Sequence, residues 1–595
     1  MGRYLDYAVI AVYILGMLGI GARFLKHGET TEGYLLGGRR MPYIAVGIAC
    51  IMAAMSSVSI VSITGEVFNH GATLFVFNLL LAPLGILYYL MFVRFYFKLG
   101  SFTPYEYLEY RYDPTIRALV AISVFYCRTI YLGMVLFTTS KIFEGAYHWP
   151  AWLTIVLAGM SAMLYTVMGG MKAVVWTDVI QFFVLVIGAG ITVITLCLCI
   201  RGGAVEAVSC ALREGHGTSE FFRAEFYSMS PYPRLLFFLL LYNAVFGPLE
   251  AAASDQIAIQ RLLSTKNWVE GLKSQIICTV LGMIMVTVLI FIGFAVFTYY
   301  HQNPDPQLAT LGGDDALFHF IATKLPSPGP GIFMAAMLAA VMSTLSSGFN
   351  SMAAIWFKEF HVKFINSSLS PSGEVRVLRW ATFLIGLLAI VLGLGLCWSG
   401  RWLSQSVVEV TTIFTLLGAA TMPAFLFAVL SKRTNSTLIW CYTLLATGEG
   451  LSKSVWYILS RKSLQLWEAD HAVGFGWAGK QGSEYFLALS GIGLLLVLPV
   501  LIPTLRQKLS VKIVALAGML TLGFAFGIGQ WYVFSNVFIT DMPQACSFAF
   551  GLPIPVLLII AFIALWFCPK QPREKYQGLT LATLGEKILA SPPSK

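Results

Sequence analysis

Charged residues are scarce in this chain of 595 residues: Asp, Glu, Lys and Arg together make up 11%, whereas 57% of the residues are hydrophobic. A water-soluble fold of this length needs far more polar surface to cover its core, so the soluble protein classes are excluded. Inside a bilayer the backbone must satisfy its hydrogen bonds internally, and a helix does so within one segment. The composition therefore predicts an all-α, polytopic membrane protein.

The chain also lacks the short motifs of several enzyme and ATPase classes. It contains no His-Glu-x-x-His, no Walker-type phosphate-binding loop and no Cys-x-x-Cys pair. These absences argue against a zinc protease, a nucleotide-driven pump and a zinc-binding site. An aspartyl mechanism needs two neighbouring Asp carboxylates, and Asp178 has no visible Asp partner. We therefore predict a protein that is not an enzyme and uses no organic cofactor.

Fifteen stretches of about 20 apolar residues are long enough to cross a bilayer. We expect one transmembrane domain over residues 1–568 and a cytoplasmic tail over residues 569–595. The predicted spans lie near residues 4–24, 43–64, 72–97, 115–143, 152–170, 174–200, 232–250, 271–299, 331–357, 376–398, 408–430, 436–459, 484–503, 511–534 and 548–568.

Basic residues concentrate in alternate loops, which predicts an extracellular N-terminus and a cytoplasmic C-terminus. The loops then assigned to the outside are poor in Lys and Arg: residues 300–330 contain Lys324 alone, and residues 535–547 contain neither. The net charge of +10 thus reflects an inside bias, and we expect the bilayer rather than a nucleic acid as the partner. Loops assigned to the inside contain Arg23, Lys26, Arg39, Arg40, Arg94, Lys98, Arg111, Arg117, Arg261, Lys266, Lys273, Lys358, Lys363, Arg376 and Arg379.

The ninth predicted span carries a strip of side-chain oxygens. At 100° per residue, Ser343, Ser346, Ser347 and Asn350 share one helix face, with Thr344 beside it. One interpretation is structural, because a hydroxyl can bond the carbonyl one turn earlier and small residues allow close helix packing. The density of the cluster favours the other interpretation, a site for a hard cation that needs several oxygen ligands.

Two predicted spans carry signals that interrupt a helix. The second contains closely spaced serines from Ser56 onward, which compete with the helical hydrogen bonds, and the seventh contains Gly247-Pro248. Because these spans are five apart in order, they fit an inverted repeat of five plus five helices, over residues 43–200 and 232–430, with a binding site at the breaks. The alternative is a pair of ordinary kinks.

Two intramembrane charges are further candidates. Asp178 lies early in an apolar run and shares a helix face with Gln181. It can bind an ion or serve as an N-terminal carboxylate stabilised by the helix dipole. Arg128 lies well inside the fourth span, where its guanidinium can grip a carboxylate, pair with Glu250 or Asp178, or extend to an interface.

Three motifs in order carry a family resemblance. They are Gly-Gly-x-x-Ala-Val-x-Trp-Thr-Asp-x-x-Gln from Gly169, Ser-Asp-Gln-x-x-x-Gln-Arg from Ser254, and Ser343-Thr344 with Asn350. The chain resembles the sodium/solute symporter family, relatives of the sodium-coupled glucose, iodide, monocarboxylate, multivitamin, proline and sialic acid cotransporters. The resemblance implies a LeuT-type fold, and Na⁺ as the coupling ion for uptake of a small solute through the plasma (inner) membrane.

The resemblance also implies two sodium sites. Some bacterial relatives of the sialic acid type have a second site, which matches residues on the fifth and eighth core helices here. The principal site would use the backbone carbonyls of Ala53, Ser56 and Ala340 with the side chains of Ser343 and Thr344. The second site would use Asp178, Ser343, Ser346 and Ser347.

For the solute, the resemblance favours an organic anion such as a sialic acid or a monocarboxylate. Arg128 would grip the carboxylate, and Ser57, Ser59 and Asn243 would be polar contacts. Sugar-transporting members place an acidic and an amide residue where this chain has Ser59 and Ile60, which argues against a simple hexose. The alternatives are a sugar, amino-acid or vitamin symporter, or a sensor on the same fold.

Overall fold

Helices form every regular element in the part of the chain that the structure describes. The structure is a computed structural model. It describes residues 2–25, 30–100, 102–147, 149–227, 235, 237–306, 313–366, 368–399, 421–446, 448 and 570–588, with isolated residues between 491 and 568.

Most helices are apolar and long, as the composition predicts. Within the described residues, a π-helical segment, Trp356–Ile365, directly follows the helix Gly329–Ile355. In chain order, the helices are α1 (Gly2–Arg23), α2 (Thr31–Leu36), α3 (Tyr43–Ala54), α4 (Ser57–His70), α5 (Thr73–Leu81), α6 (Leu84–Leu99), α7 (Tyr105–Arg111), α8 (Pro114–Tyr147), α9 (Ala151–Cys199), α10 (Gly203–Arg213), α11 (Phe237–Ser254), α12 (Gln256–Leu263), α13 (Trp268–Gln302), α14 (Gly313–Lys324), α15 (Gly329–Ile355), α16 (Pro371–Ser399) and α17 (Met422–Leu430).

By length and composition, six of the described helices can cross a membrane, and the bent pairs α3–α4 and α5–α6 raise that number to eight. Each of the first ten predicted spans lies on one of these elements or on α11. The predicted spans near 408–430, 436–459, 484–503, 511–534 and 548–568 fall partly or wholly outside the described residues. The total of fifteen spans and the orientation therefore remain predictions.

The second span is broken where its serines begin, as predicted. Helix α3 ends at Ala54, Met55 and Ser56 are extended, and α4 leaves at 63° to α3. The Ser56 hydroxyl caps α4 by accepting a hydrogen bond from the Ser59 N–H at 3.4 Å. The break leaves carbonyl groups at the end of α3 without helical partners in the middle of the bundle.

The seventh span differs from the prediction. The predicted interruption at Gly247 and Pro248 is wrong, because α11 continues through both residues to Ser254. A proline removes one hydrogen bond from a helix, and membrane helices tolerate this loss when neighbouring groups compensate. The chain instead leaves the helix at Asp255, whose extended backbone separates α11 from α12.

Helix α15 is the centre of the bundle. All of its residues except Ile332 are buried, and it packs against α1, α8, α9 and α16. Small residues permit this close packing. A Cβ atom on Gly188 of α9 would lie 2.7 Å from the Ala336 Cβ of α15, so the two backbones approach closely along the oxygen-bearing helix.

The C-terminal segment 570–588 docks on the ends of the helices near α7. Lys98 Nζ donates to the carbonyls of Gly578 and Leu584, at 3.3 and 2.9 Å. The Tyr107 hydroxyl donates to the Leu579 carbonyl at 2.6 Å, and Leu579 itself is fully buried. The segment that was predicted as a plain cytoplasmic tail is therefore packed against the helical domain.

Two predicted spans, near 152–170 and 174–200, meet without a loop at Gly170 in α9. Gly170 has φ 54° and ψ −147°, a conformation that glycine alone adopts readily. A Cβ atom there would lie 2.5 Å from the Tyr34 carbonyl oxygen. The kink therefore requires glycine for two separate reasons, its backbone conformation and the space beside it.

We expect the Gly170→Ala substitution to lower the free energy of unfolding by about 1–3 kcal/mol from backbone strain alone. Heating the purified protein and measuring the folded fraction by size-exclusion chromatography tests this. Gly190→Ala is the matched control, since a Cβ at Gly190, in the same helix, meets no atom within 4 Å. Equal unfolding temperatures for the two variants would contradict this explanation of Gly170.

Candidate functional site

A cavity of about 500 Å³ opens beside the break between α3 and α4. Its wall includes Ala53 and Thr344 from the predicted principal sodium site and Arg128 and Asn243 from the predicted solute site. Most of the remaining wall is apolar, with side chains such as Leu132. The fold thus brings residues predicted to bind the ion and the solute to one cavity of the size that small-molecule sites have.

The predicted principal sodium site is assembled in part. Ala53 lies at the end of α3 and Thr344 faces the same cavity from α15. The Thr344 hydroxyl donates to the Ala340 carbonyl at 3.1 Å, the local bond expected of a threonine in a membrane helix. Ser343 differs, because its hydroxyl donates to the Asp178 carboxylate at 2.7 Å.

The residues predicted for the second sodium site lie together, with one addition. Asp178 Oδ1 accepts from the Ser343 hydroxyl, and its Oδ2 accepts from Arg261 Nη2 at 3.0 Å. The same Arg261 nitrogen donates to the Ser347 hydroxyl. Ser346 and Ser347 donate to the Ser343 carbonyl at 3.1 and 2.6 Å. A guanidinium group therefore lies among the oxygens that the sequence assigned to a cation.

Arg261 was missing from the sequence-based site. It closes the motif that begins at Ser254, and its positive charge was counted toward an inner loop. In the structure its side chain is 1% exposed and faces the fully buried Asp178. Its Nε has no hydrogen-bond partner among the residues that the structure describes. The sequence carried no signal for this pair, because Arg261 falls on a predicted inner loop and outside the predicted spans.

Arg128 forms a salt bridge with Asp255, with 2.9 Å between Nη2 and Oδ2. The sequence offered Glu250 and Asp178 as pairing partners, and the partner in the structure is neither. Asp255 also caps α12, since its Oδ1 accepts from the Ile257 N–H at 3.0 Å. The Arg128 side chain remains 35% exposed, so a solute in the cavity can reach it.

The two serines predicted to contact the solute do not line the cavity. The Ser57 and Thr139 hydroxyls form a hydrogen bond of 2.8 Å in a fully buried contact between α4 and α8. The Ser59 and Ser56 hydroxyls are 3.5 Å apart at the start of α4. In this conformation both serines stabilise the break instead of facing the cavity.

Residues 34–438 match the sequence profile of the Sodium:solute symporter family. This chain belongs to that family. The match includes the broken helix, Asp178, Arg261 and the whole of α15. The family match confirms the resemblance carried by the three sequence motifs.

Relatives within the sodium:solute symporter family include carriers of organic acids. The chain is 26% identical to the sodium/sialic acid symporter SiaT of Proteus mirabilis, over 73% of this chain and 86% of that protein. It is 27% identical to the human sodium-coupled monocarboxylate transporter 1, over 72% of this chain and 70% of that protein.

One solved structure shares the fold. It is a Na⁺-coupled sialic acid symporter in a substrate-bound, outward-open state. The TM-score is 0.66 and the sequences are 22% identical, over 90% of this chain and 98% of that one. The fold of this symporter-family protein is therefore of the LeuT type, as the sequence predicted.

Removal of one partner from the buried Arg261–Asp178 pair leaves an uncompensated charge. We expect Arg261→Gln to lower the free energy of unfolding by about 3–5 kcal/mol in sodium-free buffer. The double variant Asp178→Asn with Arg261→Gln leaves no net charge, so it should lose less. Thermal unfolding of both variants in detergent measures the difference.

Arg213→Gln is the control for this comparison. Arg213 pairs with Glu206 while 64% of its side chain is exposed, and an exposed pair contributes at most about 1 kcal/mol. Equal losses of stability in Arg261→Gln and Arg213→Gln would contradict this prediction. They would show that the buried charge of Asp178 does not need Arg261 to be stable.

Proposed function

We propose that the protein is a sodium-coupled symporter that imports an organic carboxylate across the plasma membrane by alternating access. The observation that carries this proposal is Arg128, a cation on the wall of a mostly apolar cavity that also contains Ala53 and Thr344. A guanidinium fork matches the two oxygens of a carboxylate. The sialic acid and monocarboxylate relatives support the same class of solute.

The chemistry of the cavity wall suits an acid with an apolar body. Tyr131 lies beside Arg128, with 5.9 Å between its ring centroid and the guanidinium carbon, and Asn243 adds one amide. The remaining wall consists largely of aliphatic, aromatic and alanine side chains. Such a wall stabilises the hydrocarbon part of a solute, while Arg128 fixes its charged end.

Sodium enters this scheme as a co-transported substrate. At the principal site, carbonyl groups at the helix break and the Ser343 and Thr344 hydroxyls would replace water around the ion. At the second site, Asp178 would supply a negative charge. Each Na⁺ that moves inward with the membrane potential contributes about 2.3 kcal/mol per 100 mV, and this energy drives uptake against a solute gradient.

Uptake by proteoliposomes with an imposed Na⁺ gradient tests the proposal, with sialic acid, lactate, pantothenate, glucose and proline as solutes. We expect the wild type to accumulate one of the acids only with sodium. Thr344→Ala should raise the Na⁺ concentration for half-maximal uptake about tenfold, because the ion loses one of its oxygen ligands. Arg128→Gln should abolish uptake of the acid.

Thr192→Ala is the control for Thr344→Ala. Thr192 is another buried threonine that donates to a carbonyl in its own helix, at 2.9 Å from Gly188, and it lies outside the cavity wall. Sodium-driven uptake of glucose or proline would keep the symporter but refute the anion role of Arg128. Absence of sodium-dependent flux with every solute would refute the proposed function.

A second prediction concerns stoichiometry. Because Asp178 can balance the charge of one further ion, we expect two Na⁺ per cycle and a Hill coefficient for sodium approaching two. Asp178→Ala should lower that coefficient to about one, since only the principal site remains. Initial uptake rates as a function of Na⁺ concentration measure it. A coefficient of about one in both proteins would contradict the second site.

A further inference from the structure

The short helix α12 and Asp255, which caps it, carry two opposite charges that pair with different neighbouring helices. At its N-terminus, Asp255 holds Arg128 of α8 at 2.9 Å. Near its C-terminal end, Arg261 holds Asp178 of α9 at 3.0 Å and also donates to Ser347 of α15. Both charged residues of α12 line the same cavity.

These two ion pairs involve the residues that the proposed function assigns to the ligands. A carboxylate solute needs the guanidinium of Arg128, which Asp255 occupies. A second Na⁺ needs the carboxylate of Asp178, which Arg261 occupies. The solute must therefore displace Asp255 from Arg128, and Na⁺ must displace Arg261 from Asp178. The two displacements occur at opposite ends of one helix.

We propose that α12 is a latch that couples the solute to the second sodium ion. The segment from Asp255 to Arg261 spans about 9 Å, six steps of 1.5 Å, short enough to move as one rigid body. When one ligand opens its ion pair, the helix loses one of its two charged contacts, and the other pair opens more easily. This proposal rests on the proposed function and explains why both ligands bind together.

The other polar residues of α12 provide the pivot of the latch. Gln256 Nε2 donates to the Phe102 carbonyl at 3.1 Å, and Gln260 Nε2 donates to the Leu35 carbonyl at 2.8 Å. These bonds are neutral, and neither a carboxylate nor Na⁺ competes for an amide that donates to a backbone carbonyl. The helix therefore stays attached to the protein while its two charged ends change partners.

The geometry of the ion pairs suits exchange. Among the described contacts, Arg261 donates one hydrogen bond to Asp178, whereas a bidentate pair would have two. Within the described residues, Arg261 Nε lacks a hydrogen-bond partner. Arg261 therefore holds Asp178 through fewer bonds than a guanidinium can form, which lowers the cost of releasing it.

Binding of Na⁺ alone tests the latch without knowledge of the solute. The protein in lipid nanodiscs is titrated with ²²Na⁺ and the Kd is measured. Asp255→Asn opens the solute-side pair permanently, so we expect it to bind the second Na⁺ about fivefold more tightly, at the low end of typical coupling between sites. Asp255→Glu retains the charge and should bind like the wild type.

Two further variants separate the latch from simpler causes. Glu250→Gln removes the same charge, and Glu250 acts electrostatically on Arg128 but forms no salt bridge with it among the described contacts. Its Na⁺ affinity should stay that of the wild type. In an Asp178→Asn background, Asp255→Asn should have no effect, because the site that the latch controls is absent.

Each result decides between the two proposals. Na⁺ binding that is unchanged in Asp255→Asn, or increased equally in Glu250→Gln, refutes the latch but leaves the sodium symporter intact. An increase that persists in the Asp178→Asn background also refutes the latch. Absence of Na⁺ binding in every protein, with folded material confirmed by size-exclusion chromatography, refutes the proposed function and the latch with it.

Discussion

A carboxylate buried inside a membrane bundle needs a positive charge beside it, and this constraint organises the centre of the protein. Asp178 is fully buried between α9 and α15. Without compensation its charge would cost several kcal/mol in such surroundings. Arg261 supplies the compensation, and α12 must therefore place its C-terminal end against α15. The arrangement of three helices follows from one charge.

The same constraint applies to the cavity. Arg128 is a second intramembrane charge, and Asp255 balances it. One balancing residue lies on α12 and the other caps it, so this short helix compensates the charges of both Asp178 and Arg128. A transporter that binds charged ligands in hydrocarbon surroundings needs protein charges that pair with its binding residues when no ligand is present. Without them, an unpaired group would favour collapse or neutralisation of the site.

The sequence predicted the features that depend on residues close together along the chain. Closely spaced serines weaken a helix wherever they occur, and the break at Ser56 lies where they begin. Helical periodicity placed Ser343, Ser346 and Ser347 on one face, and the structure turns that face toward Asp178 and Arg261. The proline signal in α11 was misleading because surrounding helices can compensate for one lost hydrogen bond.

The ion pairs between residues on different helices could not be predicted from the sequence. Arg261 and Asp178 are 83 positions apart, and the sequence offered Glu250 and Asp178 as partners for Arg128, which pairs with Asp255. Composition shows that such charges must be paired, but only the packing of α8, α9 and α12 decides which pairs form. The roles of Ser57 and Ser59 depend in the same way on where α8 lies, because the Ser57 partner is Thr139 of that helix.

The docked C-terminal segment has a consequence for how this protein can vary. Lys98, Tyr107 and Arg111 hold it through backbone carbonyls, which every amino acid possesses. Most side chains of the segment can therefore drift over evolutionary time while the docking persists. Gly578 is an exception, since its φ of 71° favours glycine, and Leu579 is another because it is fully buried. Thr580 and Thr583 are also constrained, since both are buried and their hydroxyls form a hydrogen bond. Selection on this surface should act on these positions and tolerate change at the exposed ones.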